Sequence, residues 1–153
     1  MFHIVLVEPE IPQNTGNISR TCAVTGSALH LVRPLGFSVE DRQLKRAGLD
    51  YWHSLTLFYH DSIEELWAKY PQGRFFYTST HAERCYSDVA YRDGDFLVFG
   101  KETAGLGPKI LEAHADSAIR IPMGKEQRSL NLSNAAAIVL YEALRQNSFF
   151  DLS

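Results

Sequence analysis

Residues 119–145 read IRIPMGKEQRSLNLSNAAAIVLYEALR, and three kinds of segment follow one another in that stretch. Ile119 and Ile121, just before Pro122, predict a short apolar strand over 118–121. Lys125, Glu126, Gln127 and Arg128 form a polar loop that leads into Ser129-Leu130-Asn131. From Asn131 to Arg145 an alanine-rich helix is predicted, with Leu132, Ala135, Ala136, Val139 and Ala143 on one stripe. A second side carries Ile138, Tyr141 and the stems of Glu142 and Arg145. A helix apolar on two sides needs two partners, either within its own core or on a second subunit. Strand, donor-rich loop and small-residue helix together make a ligand platform.

Working outward, Phe2 to Val7 (FHIVLV) is a nearly continuous apolar run, as in a strand covered on both faces. Further strands are expected over Ala28–Val32, Leu55–Phe58, Arg74–Ser79, Asp95–Phe99 and Ala118–Ile121. Helices are expected between them. One covers Thr15–Thr25, with Asn14 as a candidate N-cap and Gly26 as its stop. A second follows Ser38, holds Glu40 and Asp41 in its first turn, and ends at Gly48. A third, Ser62–Tyr70, opens on Asp61 and Glu64 as a capping box, and a fourth spans Lys109–Ala113. Residues 80–93 show no period. Strands alternating with helices predict an α/β fold, a mainly parallel sheet flanked by helices, in one domain over 1–153.

The composition narrows the function classes. A 45% hydrophobic and 22% charged chain is that of a globular protein, and no run approaches a membrane span. The apolar start lacks the charge pattern of a signal peptide, so a cytoplasmic protein is expected. Cys22 and Cys85 read as reduced thiols, and the six histidines show no metal-ligand spacing. A net charge of −3 argues against nonspecific coating of nucleic acid but permits a local basic face, such as Arg42, Lys45 and Arg46 at helical spacing.

Three polar, glycine-bearing segments follow predicted strands: Asn14–Arg20, Gly100–Leu106 and the loop before the last helix. Ligands in open α/β sheets collect at the carboxyl ends of strands, so the three are expected to converge. No G-x-G-x-x-G follows the first strand. Lys101 is followed by Glu102 where a phosphate loop needs Ser or Thr, and no G-x-S-x-G elbow is present. Asn, Ser, Glu, backbone amides and one arginine orient a polar ligand without supplying a strong nucleophile. Such a set suits group transfer whose reactivity resides in a cofactor.

NTGNISR (14–20), FGKETAGL (99–106) and IPMGKEQRSLNLSNAAAIVLYE (121–142) resemble the three motifs of the SPOUT superfamily of S-adenosylmethionine-dependent RNA methyltransferases. The likeness is to its SpoU-type ribose 2′-O-methyltransferases. More narrowly, VEPEIPQNTGNISR (7–20) and RAGLDYW (46–52) are similar to the minimal members that act on the wobble nucleotide of tRNA. The resemblance implies a C-terminal trefoil knot, a homodimer and S-adenosyl-L-methionine held by Thr78, Gly100, Ile121, Ser129 and Leu130. It also implies a catalytic set of Arg20, Glu102 and Asn131, with Asn14 helping to shape the site, and a tRNA anticodon loop as the substrate. A guanidinium keeps its proton at neutral pH, which favours Arg20 as a phosphate clamp over Arg20 as a base. Ala104 stands where many relatives carry arginine and Gly107 where proline is common. RNA contact would then rest on Arg20, Arg33, Arg42, Lys45, Arg46 and Arg128. Two other readings stay open: a non-catalytic RNA-binding or assembly factor of the same fold, and a methyltransferase acting on ribosomal RNA.

Overall fold

The computed structural model describes the backbone of residues 1–153 and the side chains of all but residues 45 and 47–50. Six strands, β1 (His3–Val7), β2 (Ala28–Val32), β3 (Thr56–His60), β4 (Phe75–Thr78), β5 (Phe96–Phe99) and β6 (Ala118–Ile119), form one sheet in the order β3-β2-β1-β5-β4-β6. Every neighbouring pair is parallel. Helices α1 (Pro12–Thr25), α2 (Arg42–Gly48), α3 (Ile63–Lys69), α4 (Pro108–Ala113) and α5 (Leu132–Gln146) make the connections. The expected α/β architecture is thus present, with the sheet parallel throughout.

Alternation along the strands divides the core in two. Ile4, Leu6, Leu29, Leu31, Leu97 and Phe99 face α1 and α5, meeting Ile18 and Cys22 on the first and Val139 and Ala143 on the second. Val5, Val7, Val32 and Val98 point the other way and pack on Ile63 and Leu66 of α3, with Leu111 of α4 at the margin. Because successive strand side chains alternate, a register slip of one residue would exchange the two sets. The expected α5 stripe is buried at Leu132, Ala136, Val139 and Ala143; Leu140 and Leu144 are buried as well, and Ile138 and Tyr141 remain exposed.

Several boundaries differ from the sequence reading. Helix α1 begins at Pro12, which suits a first helical position because its missing N–H had no partner to lose. Asn14 is therefore inside the helix, where its side chain is free for other work. Helix α3 is capped by Ser62, whose Oγ accepts the Glu65 N–H at 3.1 Å, while the Glu65 carboxylate accepts the Asp61 N–H. The capping box lies one residue later than Asp61 and Glu64 suggested. Helix α2 starts at Arg42, where Asp41 Oδ1 accepts the Gln43 N–H at 2.7 Å, so Ser38 is not its cap and Glu40 and Asp41 precede its first turn; a 3-10 segment, Leu49–Ser54, follows directly. The helix ends at Gly48, as expected, while the side chains of Lys45 in the basic cluster and of residues 47–50 in RAGLDYW lie outside the described residues. Strand β6 ends at Ile119, and Arg120 continues only as a bridge to Cys85.

Candidate active site

The carboxyl ends of β4, β5 and β6 open into a cleft of about 780 Å³, within the range of small-molecule sites. Thr78, Gly100, Ile121, Ser129, Leu130 and Asn131 all line it, as does Glu102. A smaller cleft of about 390 Å³ beside Trp67, Arg74, Tyr77 and His114 carries none of the glycine loops. Its Trp67 indole N–H is already given to the Tyr77 hydroxyl at 2.9 Å.

Three loops build the larger cleft. Strand β4 ends at Thr78, whose hydroxyl donates to the Val98 carbonyl at 3.0 Å and so pins β4 to β5 at the mouth. Strand β5 runs into Gly100, where the chain turns back sharply. A Cβ at Gly100 would stand 2.1 Å from the Gly105 carbonyl carbon and 2.2 Å from the Leu106 nitrogen. Gly105 occupies the left-handed region at φ 67°, and its N–H bonds to the Lys101 carbonyl at 2.8 Å. The third loop leaves β6 through Ile121 and reaches α5 at Asn131, with a turn closed from Gln127 N–H to the Gly124 carbonyl. Leu130 is exposed on its rim.

A hydrogen-bonded chain ties these loops to α1. Glu102 accepts the backbone N–H of Glu10 at 2.9 Å and of Ile11 at 2.8 Å, and the Asn14 amide at 3.1 Å. It holds the Glu10–Ile11 segment that leads into α1, with its negative charge near the positive end of the helix dipole. In return, the Glu10 carboxylate accepts both the N–H and the hydroxyl of Thr103, and these bonds hold its pKa below the ordinary value. Asn14 Oδ1 accepts the Asn131 amide at 3.2 Å. Asn131 Oδ1 caps α5 by accepting the Ser133 and Asn134 N–H groups. Asn14, Glu102 and Asn131 are therefore one unit, and both Glu102 oxygens are engaged within it.

Arg20 is elsewhere. It is exposed on α1, outside the cleft lining, with its guanidinium carbon 4.8 Å from the Tyr51 ring centroid. Ile11, Leu106, Ile119, Met123, Leu132 and Ala135 supply apolar walls of the cleft that were not among the expected site residues. Ile11 and Leu132 directly adjoin the polar motifs, which was the available signal. Among the described residues no cluster of His, Cys, Asp or Glu suits a metal ion, and no helix is long and apolar enough to cross a membrane.

A parallel α/β sheet with a glycine-walled, largely apolar cleft at the strand ends defines a protein that binds a nucleotide-like cofactor there. Comparison with known proteins gives the family: residues 1–141 match the model of the SpoU rRNA methylase family, and the chain belongs to it. It is 52% identical to the tRNA (cytidine(34)-2′-O)-methyltransferase of Escherichia coli K12, over 95% of this chain and 94% of that protein. A solved structure described as giving insight into 2-OH methylation of C/U34 on tRNA superposes with a TM-score of 0.92 at 45% identity, covering 97% of each chain. The SpoU methyltransferase AviRb of Streptomyces viridochromogenes, solved with the cofactor AdoMet, superposes with a TM-score of 0.85 at 27% identity over 95% of this chain and 60% of that one.

Proposed function

We propose that the chain methylates the ribose 2′-hydroxyl of the wobble nucleotide, cytidine or uridine, in tRNA. The observation that carries this reading is the end-to-end likeness to the Escherichia coli enzyme, together with a cleft gathering the motif residues. The donor set suits S-adenosylmethionine: Ile121 and Leu130 offer apolar faces for an adenine, and the loop backbone at 78–81 and 121–130 offers donors and acceptors for its edge. When bound, the cofactor supplies a sulfonium methyl group for transfer.

The chain's own residues hold and orient. Gly100 keeps the 100–106 loop folded tightly against β5, so that backbone forms the cleft wall. Asn14, Glu102 and Asn131 fix that loop against the starts of α1 and α5; their role is positioning. A ribose hydroxyl is a weak nucleophile at neutral pH, so placing its oxygen and easing its proton to water carry much of the rate. Arg20 serves this as a cation that clamps an adjoining phosphate and favours the developing alkoxide.

Arg20 lies outside the cleft of its own chain, which supports a homodimer in which it completes the partner's site. The exposed apolar side chains Val24 on α1 and Ile138 and Tyr141 on α5, two helices packed on each other, are the surface for that pairing. The return of the chain from β6, at the sheet edge, to α5 over β5 supports the trefoil knot. A single domain and a tRNA substrate held partly by Arg33, Arg42, Arg46 and Arg128 complete the reading. Affinity for tRNA is then expected to fall steeply with salt.

The test is methyl transfer from labelled S-adenosylmethionine to tRNA lacking the modification, followed by mapping of the product nucleotide. Label at the wobble ribose is expected; label elsewhere, or none, overturns the assignment. Arg20→Ala is expected to lose transfer and keep cofactor affinity. Mixing inactive Arg20→Ala and Asn131→Ala chains should restore activity if the site spans two subunits.

A further inference from the structure

Among the described residues, three arginines lie over aromatic rings, and their surroundings differ. Arg33 is 4.8 Å from the Tyr59 centroid and also pairs with Asp61 at 3.2 Å. Arg74 is 5.3 Å from the Phe76 centroid and also pairs with the buried Asp95 at 3.2 Å. Arg20 is 4.8 Å from the Tyr51 centroid, and no carboxylate pairs with it among the described residues. Arg33 and Arg74 are partly neutralised; Arg20 is steadied with its charge unspent.

We infer that Tyr51 is the positioning residue for Arg20: its ring holds the guanidinium in a fixed place while leaving the cation free to meet an RNA phosphate. The inference rests on the role assigned to Arg20 above. An exposed arginine on a helix samples many rotamers, at an ordering cost of about 2 kcal/mol. A carboxylate partner would remove that freedom by neutralising the charge the substrate must meet. An aromatic face removes it through the ring quadrupole and leaves the N–H donors in the guanidinium plane open. Tyr51 is suited to this by its setting in the 3-10 segment Leu49–Ser54, which packs against α1. The Ser54 hydroxyl donates to the Tyr51 carbonyl at 3.0 Å, and the Leu55 N–H to the Trp52 carbonyl at 3.2 Å, so the ring stands on a braced turn.

The experiment measures single-turnover methyl transfer to unmodified tRNA, S-adenosylmethionine affinity by calorimetry and thermal midpoint for Tyr51→Leu, Tyr51→Phe and Arg20→Ala. Tyr51→Leu is expected to slow transfer roughly 3- to 30-fold, with cofactor affinity and midpoint unchanged, while Tyr51→Phe restores the rate. Wild-type transfer by Tyr51→Leu alongside an inactive Arg20→Ala overturns the role of Tyr51 and leaves that of Arg20 standing. Equal loss in Tyr51→Phe would assign the effect to the hydroxyl and sink the proposal. Lost cofactor affinity or a lowered midpoint in Tyr51→Leu would make the residue merely structural. Full activity in Arg20→Ala removes the assignment of Arg20 and this inference with it.

Discussion

Asn131 and Asn14 meet amide to amide at 3.2 Å across 117 residues of sequence. One caps α5, the other sits in the first turn of α1, and Glu102 completes the bridge from the loop after β5. The cleft is thus braced where its walls leave the sheet.

Two variants separate capping from bracing at Asn131. Asn131→Ala removes the cap and is expected to destabilise the fold by about 1 kcal/mol. Asn131→Ser keeps a hydroxyl acceptor for the α5 start but cannot reach Asn14. It should recover most of the stability and little of the activity, as read by urea midpoints and initial rates. Recovery of both together would show that the Asn14 contact is dispensable.

Glu102→Gln tests the brace on the segment that leads into α1. A carboxylate accepts from Glu10 N–H, Ile11 N–H and Asn14 together; an amide presents one oxygen and turns an NH₂ group on the remaining donors. A destabilisation of about 1–3 kcal/mol is expected, with weaker cofactor binding because the 100–106 loop loosens. An unchanged midpoint would count against that brace.

Gly100→Ala puts a methyl group where backbone stands at 2.1 Å. The obstruction is main chain and not a flexible side-chain tip, so the 100–106 loop must move outward. Overpacking of this kind costs about 1–3 kcal/mol. Cofactor affinity, measured by calorimetry, should drop well before the fold fails.

The opposite face of the sheet carries a pH response. His3 Nδ1 lies 2.9 Å from His30 Nε2, and His30 Nδ1 lies 2.8 Å from His60 Nε2, a chain across three parallel strands that ends at the unpartnered His60 Nδ1. Burial lowers the His3 pKa to about 4, helped by the chain's terminal amine and opposed by Asp93. Burial lowers His30 to about 3, with His3, His60 and Lys69 adding to it. His60 is lowered too, first by burial, then by Lys69 and Arg33, against Glu65. Above the unfolded value of 6.5 neither state binds the proton. As pH falls from 6.5 toward the folded values of about 4 and 3, only the unfolded chain is protonated and stability declines. The slope approaches about 1.4 kcal/mol per pH unit for each fully responding histidine. Urea unfolding across this window should show the loss, and His30→Phe should flatten it; a flat wild-type profile would contradict the buried chain.

The strands were legible because each is a short, mainly apolar run, and all six fall within a few residues of expectation. Helix starts were less legible. Asn14 looked like the cap of α1, yet the helix opens at Pro12 with no side-chain cap, and Asn14 instead gives its amide to Glu102, 88 residues beyond it. A capping preference describes neighbours along the chain, and no local pattern records a carboxylate delivered by another loop.

Sequence alone determined the alternating elements, the parallel sheet, the two-sided apolar pattern of α5 and the motif residues that gather at one cleft. Each depends on side-chain period or on residue type, and both are properties of the chain in order. Tertiary structure decided the rest: that Asn14, Glu102 and Asn131 form one hydrogen-bonded brace, that Gly100 admits a folded-back loop, and that Arg20 stands outside its own cleft over Tyr51. Those relations join residues from separate connections of a parallel sheet, and only the folded sheet brings their ends within hydrogen-bond reach.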